Sequence, residues 1–236
     1  MEKITKESQS LKYFYIFAML YFAAMIMSLT VSARLMSIKI PFSHIELILT
    51  AGTWTIPLTF LVQDITTEVY GYARSRHLIQ ISVLLLISYI GYTKFTTYMP
   101  IPRISNIDQS YNELFNILPR HLLALIAALY TGNISSDYIL SKLKIYFKGA
   151  YLPLRFIAST SVGEIALQTV GTIIAWTGHL NFSKVIVPFI LFSYLYKVIF
   201  QILLTPLSKY ICIKLKLLEG IDIFDSYTNF NPFSIR

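Results

Sequence analysis

Residues 13–33 read YFYIFAMLYFAAMIMSLTVSA, 21 positions without a single charge. At a rise of 1.5 Å per residue the run extends about 30 Å, the thickness of bilayer hydrocarbon. It is too long for the apolar segment of a signal peptide and reads as a retained anchor. The rest of the chain has the same character. Of 236 residues, 55% are hydrophobic and only 14% charged, against roughly 25% charged in an average globular protein. Mean hydropathy is +0.60. This excludes a disordered regulator, a coiled coil, a secreted disulfide scaffold and an ordinary cytosolic enzyme. The lone cysteine, Cys212, excludes an internal disulfide and a Cys-based zinc site. The sequence predicts an all-α integral membrane protein.

Further apolar runs lie at 47–63, 78–93, 122–136, 156–178 and 185–208. Extended through flanking residues, they predict six transmembrane helices at about 13–34, 45–71, 77–98, 119–141, 153–177 and 184–213, in one membrane domain. Pro57 interrupts the second of these near Trp54, because proline removes a backbone donor. Between the third and fourth, Tyr111, Leu114, Phe115 and Leu118 share one helical face, which predicts a short amphipathic helix over 109–118 in the outer loop. With both termini cytoplasmic, 13 of the 20 basic residues fall in inner segments, 6 in outer segments, and Lys197 within a span. That asymmetry fits the positive-inside rule. Topology then accounts for the net charge of +8, and no nucleic-acid partner is implied.

An ionisable group inside a bilayer costs about 2.5–3.5 kcal/mol even on lenient scales, so each needs a partner, water or a function. Glu164 and Lys197 fall near mid-membrane on neighbouring spans. The plainer reading is a structural ion pair; the functional one is a substrate or coupling site. Asp64 and Glu68, spaced i, i+4, share one helical face. They are either a solvated helix end countered by Arg74 and Arg76, or part of a site beside a broken span. The four histidines lack metal-ligand spacing, and Ser159, Thr160, Ser161 and Thr169 read as helix-packing hydroxyls. No nucleophile–base pair or metal-ligand set is evident, which argues against an enzyme. No cofactor is implied.

Residues 56–71, IPLTFLVQDITTEVYG, resemble the signature of the queuosine precursor transporter family, also called the vitamin uptake transporter family. Tyr194, Lys197, Thr205-Pro206, Leu215-Lys216, Glu219, Asp222, Asp225 and 228–233 (TNFNPF) are similar to its last span and tail, and Pro119-Arg120, Asp137 and Gly163-Glu164 fall where it has similar residues. The chain departs from the pattern at Arg34, at Ile134 and after Glu164, where Leu167, Gln168 and Thr169 stand. The resemblance implies six spans, the cell's inner membrane, and uptake of 7-cyano-7-deazaguanine, 7-aminomethyl-7-deazaguanine or queuine by a monomer or small homo-oligomer. Such a base presents paired N–H donors and an oxygen acceptor. Glu164, Gln168 and Lys197 suit its edge, Tyr70, Tyr194 or Trp54 its face, with Asp64, Glu68 and Arg34 as further candidates. The alternative is a substrate-binding membrane subunit of an energy-coupling vitamin transporter. Ala18, Ala23 and Ala24 do not provide the Ala-x-x-x-Ala docking face usual there.

Overall fold

A computed structural model describes residues 11–32, 34–39, 46–99 and 108–234. The chain forms α1 (Lys12–Ser32), an antiparallel hairpin of β1 (Leu35–Lys39) and β2 (Glu46–Thr50), and a 3-10 turn (Ala51–Trp54). Then follow α2 (Ile56–Tyr70), α3 (Tyr72–Thr96), α4 (Asp108–Ala128), α5 (Ile134–Tyr146), α6 (Leu152–Trp176) and α7 (Val187–Glu219). Single π-helical turns join α4 to α5 (Leu129–Asn133) and precede α7 (Phe182–Ile186). The helices Gln109–Tyr146 and Phe182–Glu219 therefore run unbroken for 38 residues each.

Among the described residues, five helices are long and apolar enough to cross a membrane. The second expected span, 45–71, is corrected. Its first part is β2 and the 3-10 turn, and α2 has 15 residues, about 22 Å of helix against a hydrocarbon core of ~30 Å. The sequence ThrAlaGlyThrTrpThr at 50–55 favours extended and turn backbone over helix. Pro57 sits in the first turn of α2, where its missing N–H costs nothing. Gly52 lets the turn press on α1: a Cβ there would lie 2.7 Å from the Ser28 carbonyl oxygen.

The separate outer-loop helix is also corrected. Residues 109–118 are the first turns of α4, which continues through Pro119 without ending. Thr96 and Tyr111 share a hydroxyl hydrogen bond, and Lys94 donates to Asn116, so those turns are fastened to the end of α3. Leu118 is buried and Phe115 packs on the core, while Leu114 is exposed. Pro206 likewise lies inside the continuous α7. Pro100, Pro102 and His44 lie outside the described residues.

Two ends of the bundle are distinct. One, here the terminal face, gathers the start of α1, the α2–α3 joint at Gly71, the α5–α6 turn, the end of α7 and the tail. Tyr13 N–H donates to Glu219 Oε1 there (2.9 Å). The other, the hairpin face, gathers the β-hairpin with the ends of α1, α3 and α6; Arg120 of α4 donates to the carbonyls of Ile174 and Thr177 at the end of α6. The interior combines apolar clusters with an unusual number of polar groups. Leu84, Leu195, Ile199 and Leu203 point outward and exposed, while Gln63, Asp64, Glu68, Asp137, Arg155, Glu164 and Lys197 are buried. Lipid is the solvent for the first set, and each polar group in the second needs an internal partner.

Close packing sets the depth of α6. A Cβ on Gly132 would fall 2.4 Å from Leu167 Cβ, and one on Gly163 2.7 Å from Ser136 Cβ. These glycines let the α4–α5 helix and α6 touch backbone to backbone, the usual device where no hydrophobic effect drives helices together.

Candidate functional site

Three helices place polar residues on their inward faces at helical spacing. On α6 these are Arg155, Ser159, Thr160, Glu164, Gln168 and Thr172; on α7 they are Ser193, Lys197, Gln201, Thr205 and Ser208; on α2 they are Gln63, Asp64, Thr67 and Glu68. All are buried. Steps of three or four residues keep each series on one helix face. Where the three faces meet, the polar groups form layers.

The layer nearest the hairpin face joins Lys197 and Glu164, as their depths require. Lys197 Nζ donates to Glu164 Oε2 (2.9 Å) and to Gln168 Oε1 (3.0 Å), and Gln168 Nε2 donates to Thr172 Oγ1 (3.2 Å). Glu164 Oε1 and Ser193 Oγ are buried without a hydrogen-bond partner. Gln168 and Thr172 also line a small cleft of about 90 Å³ opening at the hairpin face, with Ser28, Thr53, His121 and Trp176 around it. Of this group Gln168 and Thr172 line the cleft, and the ion pair lies behind Gln168.

One layer deeper, Asp64 Oδ2 accepts from Thr160 Oγ1 (3.0 Å) and Gln201 Nε2 (2.9 Å), while Oδ1 has no partner. No cation pairs with Asp64 among the described residues. Two buried carboxylates in successive layers thus each keep one free oxygen, and the first of them is paired with the Lys197 ammonium. Such an arrangement can accept a pair of parallel N–H donors and offer N–H back to an oxygen.

Glu68 belongs to a different place. It is wholly buried, and its carboxylate takes Arg155 Nη1 (2.5 Å), Arg155 Nη2 (3.1 Å) and Lys216 Nζ (2.7 Å), with Lys144 at 3.7 Å. Asp222 of the tail completes the knot, 2.6 Å from Lys144 and 3.0 Å from Lys216. The solvated helix end is thus corrected, and so are its counter-charges: they are Arg155, Lys144 and Lys216 rather than Arg74 and Arg76. Burial alone would push the Asp222 carboxyl up, but the hydrogen bonds and charges of Lys144 and Lys216 outweigh it and hold the carboxyl below its ordinary value. A second cleft, lined by Glu68, Arg155, Lys209 and Lys216, opens at the terminal face. The Asp64 layer lies between the two clefts.

Other candidates stand apart. Tyr70 packs edge-on against Phe14 (5.3 Å between centroids) in the apolar cluster by the terminal face. Arg34 is exposed beyond the end of α1. Trp54, 52% exposed, meets Tyr196 edge-on. Tyr194, one turn before Lys197, is half-buried. Gln201, Lys144 and Arg155 were missed as interior groups. Their signal was the polar series at steps of three and four on α5, α6 and α7, concealed because Lys144 and Arg155 read as loop charges. No three His, Cys, Asp or Glu side chains converge among the described residues.

The two clefts open on opposite faces of the bundle, with the Glu164–Lys197 and Asp64 layers between them. A family model described as "Putative vitamin uptake transporter" matches residues 50–211. The chain belongs to the vitamin uptake transporter family. The matched segment begins at the end of β2 and runs through the Asp64, Glu164 and Lys197 layers into α7. No curated protein and no solved structure matches the chain. Membership and the five apolar helices make the chain a multi-pass membrane protein of a transporter family, with a small molecule as its substrate.

Proposed function

We propose that this protein imports 7-deazaguanine precursors of queuosine, 7-cyano- or 7-aminomethyl-7-deazaguanine or queuine, across the cell's inner membrane with both termini cytoplasmic. The observation that carries the reading is the Glu164–Lys197–Gln168 group against the hairpin-face cleft, with Glu164 Oε1 and Asp64 Oδ1 unpartnered. A 7-deazaguanine has N1–H and an exocyclic amino group side by side with an oxygen. A carboxylate takes both donors in parallel, and the ammonium or the Gln168 amide serves the oxygen. The Glu164–Lys197 pair sums to zero charge, which suits the neutral 7-cyano base; the 7-aminomethyl base and queuine would bring an ammonium of their own. Tyr194 supplies a stacking face, worth roughly 1–3 kcal/mol for an aromatic–base contact.

In this reading Asp64, Glu164, Gln168 and Lys197 bind substrate, and the Glu68 knot closes the terminal face while the base enters from the hairpin face. Tyr70 packs the closed end, and Arg34 marks the rim. The test is rescue of queuosine in tRNA in precursor-auxotrophic cells that lack their own transporter, each base supplied separately. Rescue by at least one base, lost in Glu164→Gln at normal membrane abundance, supports the reading. Wild-type protein in the membrane with no rescue by any of the three bases refutes it.

A further inference from the structure

Beside the substrate layers, on the other side of α2, lies a buried carboxylate that the transport reading leaves unused. Asp137 of α5 is fully buried and pairs with no cation among the described residues. Its partners are neutral. Oδ1 accepts from Gln63 Nε2 (2.9 Å) and Thr67 Oγ1 (2.7 Å), and Oδ2 accepts from Ser75 Oγ (2.7 Å). We infer that Asp137 is a proton-binding site, distinct from the substrate layers, whose loading and release couple transport to a proton gradient. The coupling rests on the transport reading; the proton site itself does not.

Three features bear on a proton there. First, the Thr67 hydroxyl lies within reach of two acceptors, Asp137 Oδ1 and the Gln63 carbonyl (3.0 Å), but has one hydrogen to give. With Asp137 ionised, Thr67 donates to the carboxylate. When a proton arrives, the carboxyl O–H donates to Thr67 Oγ1 and the Thr67 hydrogen turns to the Gln63 carbonyl. Both states are hydrogen-bonded, and one hydroxyl rotation interconverts them. Second, acceptors outnumber donors. Gln63 Oε1 and Asn133 Oδ1 are buried without partners, although Gln63 Nε2 also donates to the Asn133 carbonyl (3.0 Å) and Asn133 Nδ2 to Tyr21 (2.8 Å). Third, other ionisable groups lie near it, among them the buried Arg76 of α3, next to Ser75, whose Nη1 donates to the Asn229 and Asn231 carbonyls. Asp64 of α2 and the tail's Asp225 bear on Asp137 electrostatically, with Tyr21 of α1 and Tyr72 of α3 as the other titratable groups facing it. From α6, Gly163 faces Ser136 and brings no charge. The three donors already crowd the carboxylate, so a sodium ion would have to displace them.

The link to transport is α2 itself. Gln63 and Thr67 hold Asp137, while their neighbours Asp64 and Glu68 face α6 and α7. Hydrogen bonds to an ionised carboxylate are roughly twice as strong as neutral ones, so protonation loosens the grip of α5 on α2. The helix has a joint at each end, the 3-10 turn Ala51–Trp54 and Gly71 at φ 85°, and can shift as one piece.

The test begins without substrate. In the purified protein, infrared spectroscopy across a pH titration should show a protonated-carboxyl band that disappears in Asp137→Asn and persists in Asp64→Asn. Ser75→Ala removes one donor to the carboxylate and should move the band's midpoint to higher pH, so a poorly folding Asp137 variant does not end the test. An unaltered band in Asp137→Asn, or an unmoved midpoint in Ser75→Ala, overturns the site. In liposomes, one pH unit can drive up to about tenfold accumulation of 7-cyano-7-deazaguanine per proton carried. Relative to exchange at equal pH, that accumulation should collapse to equilibration in Asp137→Asn. Retained accumulation there, or uptake by the wild type that requires sodium at constant pH, overturns the coupling. Absence of all carriage by the wild type would refute the substrate assignment while the infrared result stood.

Discussion

Replacing Lys197 with methionine keeps most of the side-chain volume and removes the ammonium. Two buried acceptors then lose their donor: Glu164 Oε2, now 2.9 Å from Nζ, and Gln168 Oε1, at 3.0 Å. Glu164 already has one unpartnered oxygen, so the variant strands a buried carboxylate without its cation. Breaking a buried pair from one side costs ~3–5 kcal/mol. For a chain of this size each kcal/mol shifts Tm by about 2–4 °C, so Lys197→Met should lower Tm by roughly 6–20 °C. Adding Glu164→Gln removes the stranded charge and leaves amides, whose unmet hydrogen bonds cost ~1–3 kcal/mol. The double variant should therefore be more stable than Lys197→Met alone, with a coupling of about 2 kcal/mol, well beyond the ~0.5 kcal/mol of independent sites. The assay is thermal denaturation of purified protein in one detergent, all four members of the cycle in parallel. Additive shifts, or a Tm for Lys197→Met within ~2 °C of wild type, would refute the reasoning. Transport should stay lost in the double variant, because methionine cannot donate to the oxygen of a base.

At the packed crossing, Gly132→Ala or Gly163→Ala should destabilise by ~1–3 kcal/mol through overpacking, read as a lower Tm; no change would mean the helices are not held at that distance. Because the Asp222 carboxyl is held below its ordinary value, its contribution to docking the tail is complete above the unfolded value of about 3.9 and is lost as pH falls through the lower folded value. Proteolysis of the tail should accordingly accelerate at acid pH in the wild type, and Asp222→Asn should be cut fast at every pH; an acid-dependent rate in Asp222→Asn would contradict this. Glu68→Gln leaves Arg155 without its anion and Lys144 and Lys216 with Asp222 alone, and should raise cysteine-reagent access to a probe introduced at Ile213 in the terminal-face cleft; unchanged labelling would remove Glu68 as the closure of that face. A reporter after Arg236 should be cytoplasmic and one near Asn106 external, and the reverse pattern would overturn the orientation.

Much of the architecture is local and therefore legible in the sequence. Uncharged runs such as 13–33 and 78–93 state that lipid is the solvent, and their length sets the number of crossings. Spacing along a helix fixes depth, which is why Glu164 and Lys197 could be matched before their 2.9 Å contact was seen. The i, i+4 spacing of Asp64 and Glu68 fixed a shared face, and the wording of 56–71 carried the family. What that face meets is not local. Asp64 goes to neutral Thr160 and Gln201, and Glu68 goes to three cations, because α6 presents Thr160 at one depth and Arg155 about 7 Å lower by helical rise. Lys144 and Arg155 look like loop charges in one dimension and become interior groups only when the α5–α6 turn folds them onto α2. The second run shows the same limit. Its hydropathy permits a full span, but the contact of Gly52 with α1 and the pairing of β1 with β2 hold its first residues out of the helix. Hydropathy and periodicity are properties of one strand of chain; the partner of a buried charge is set by which helix lies opposite, and that is decided only when all the helices pack together.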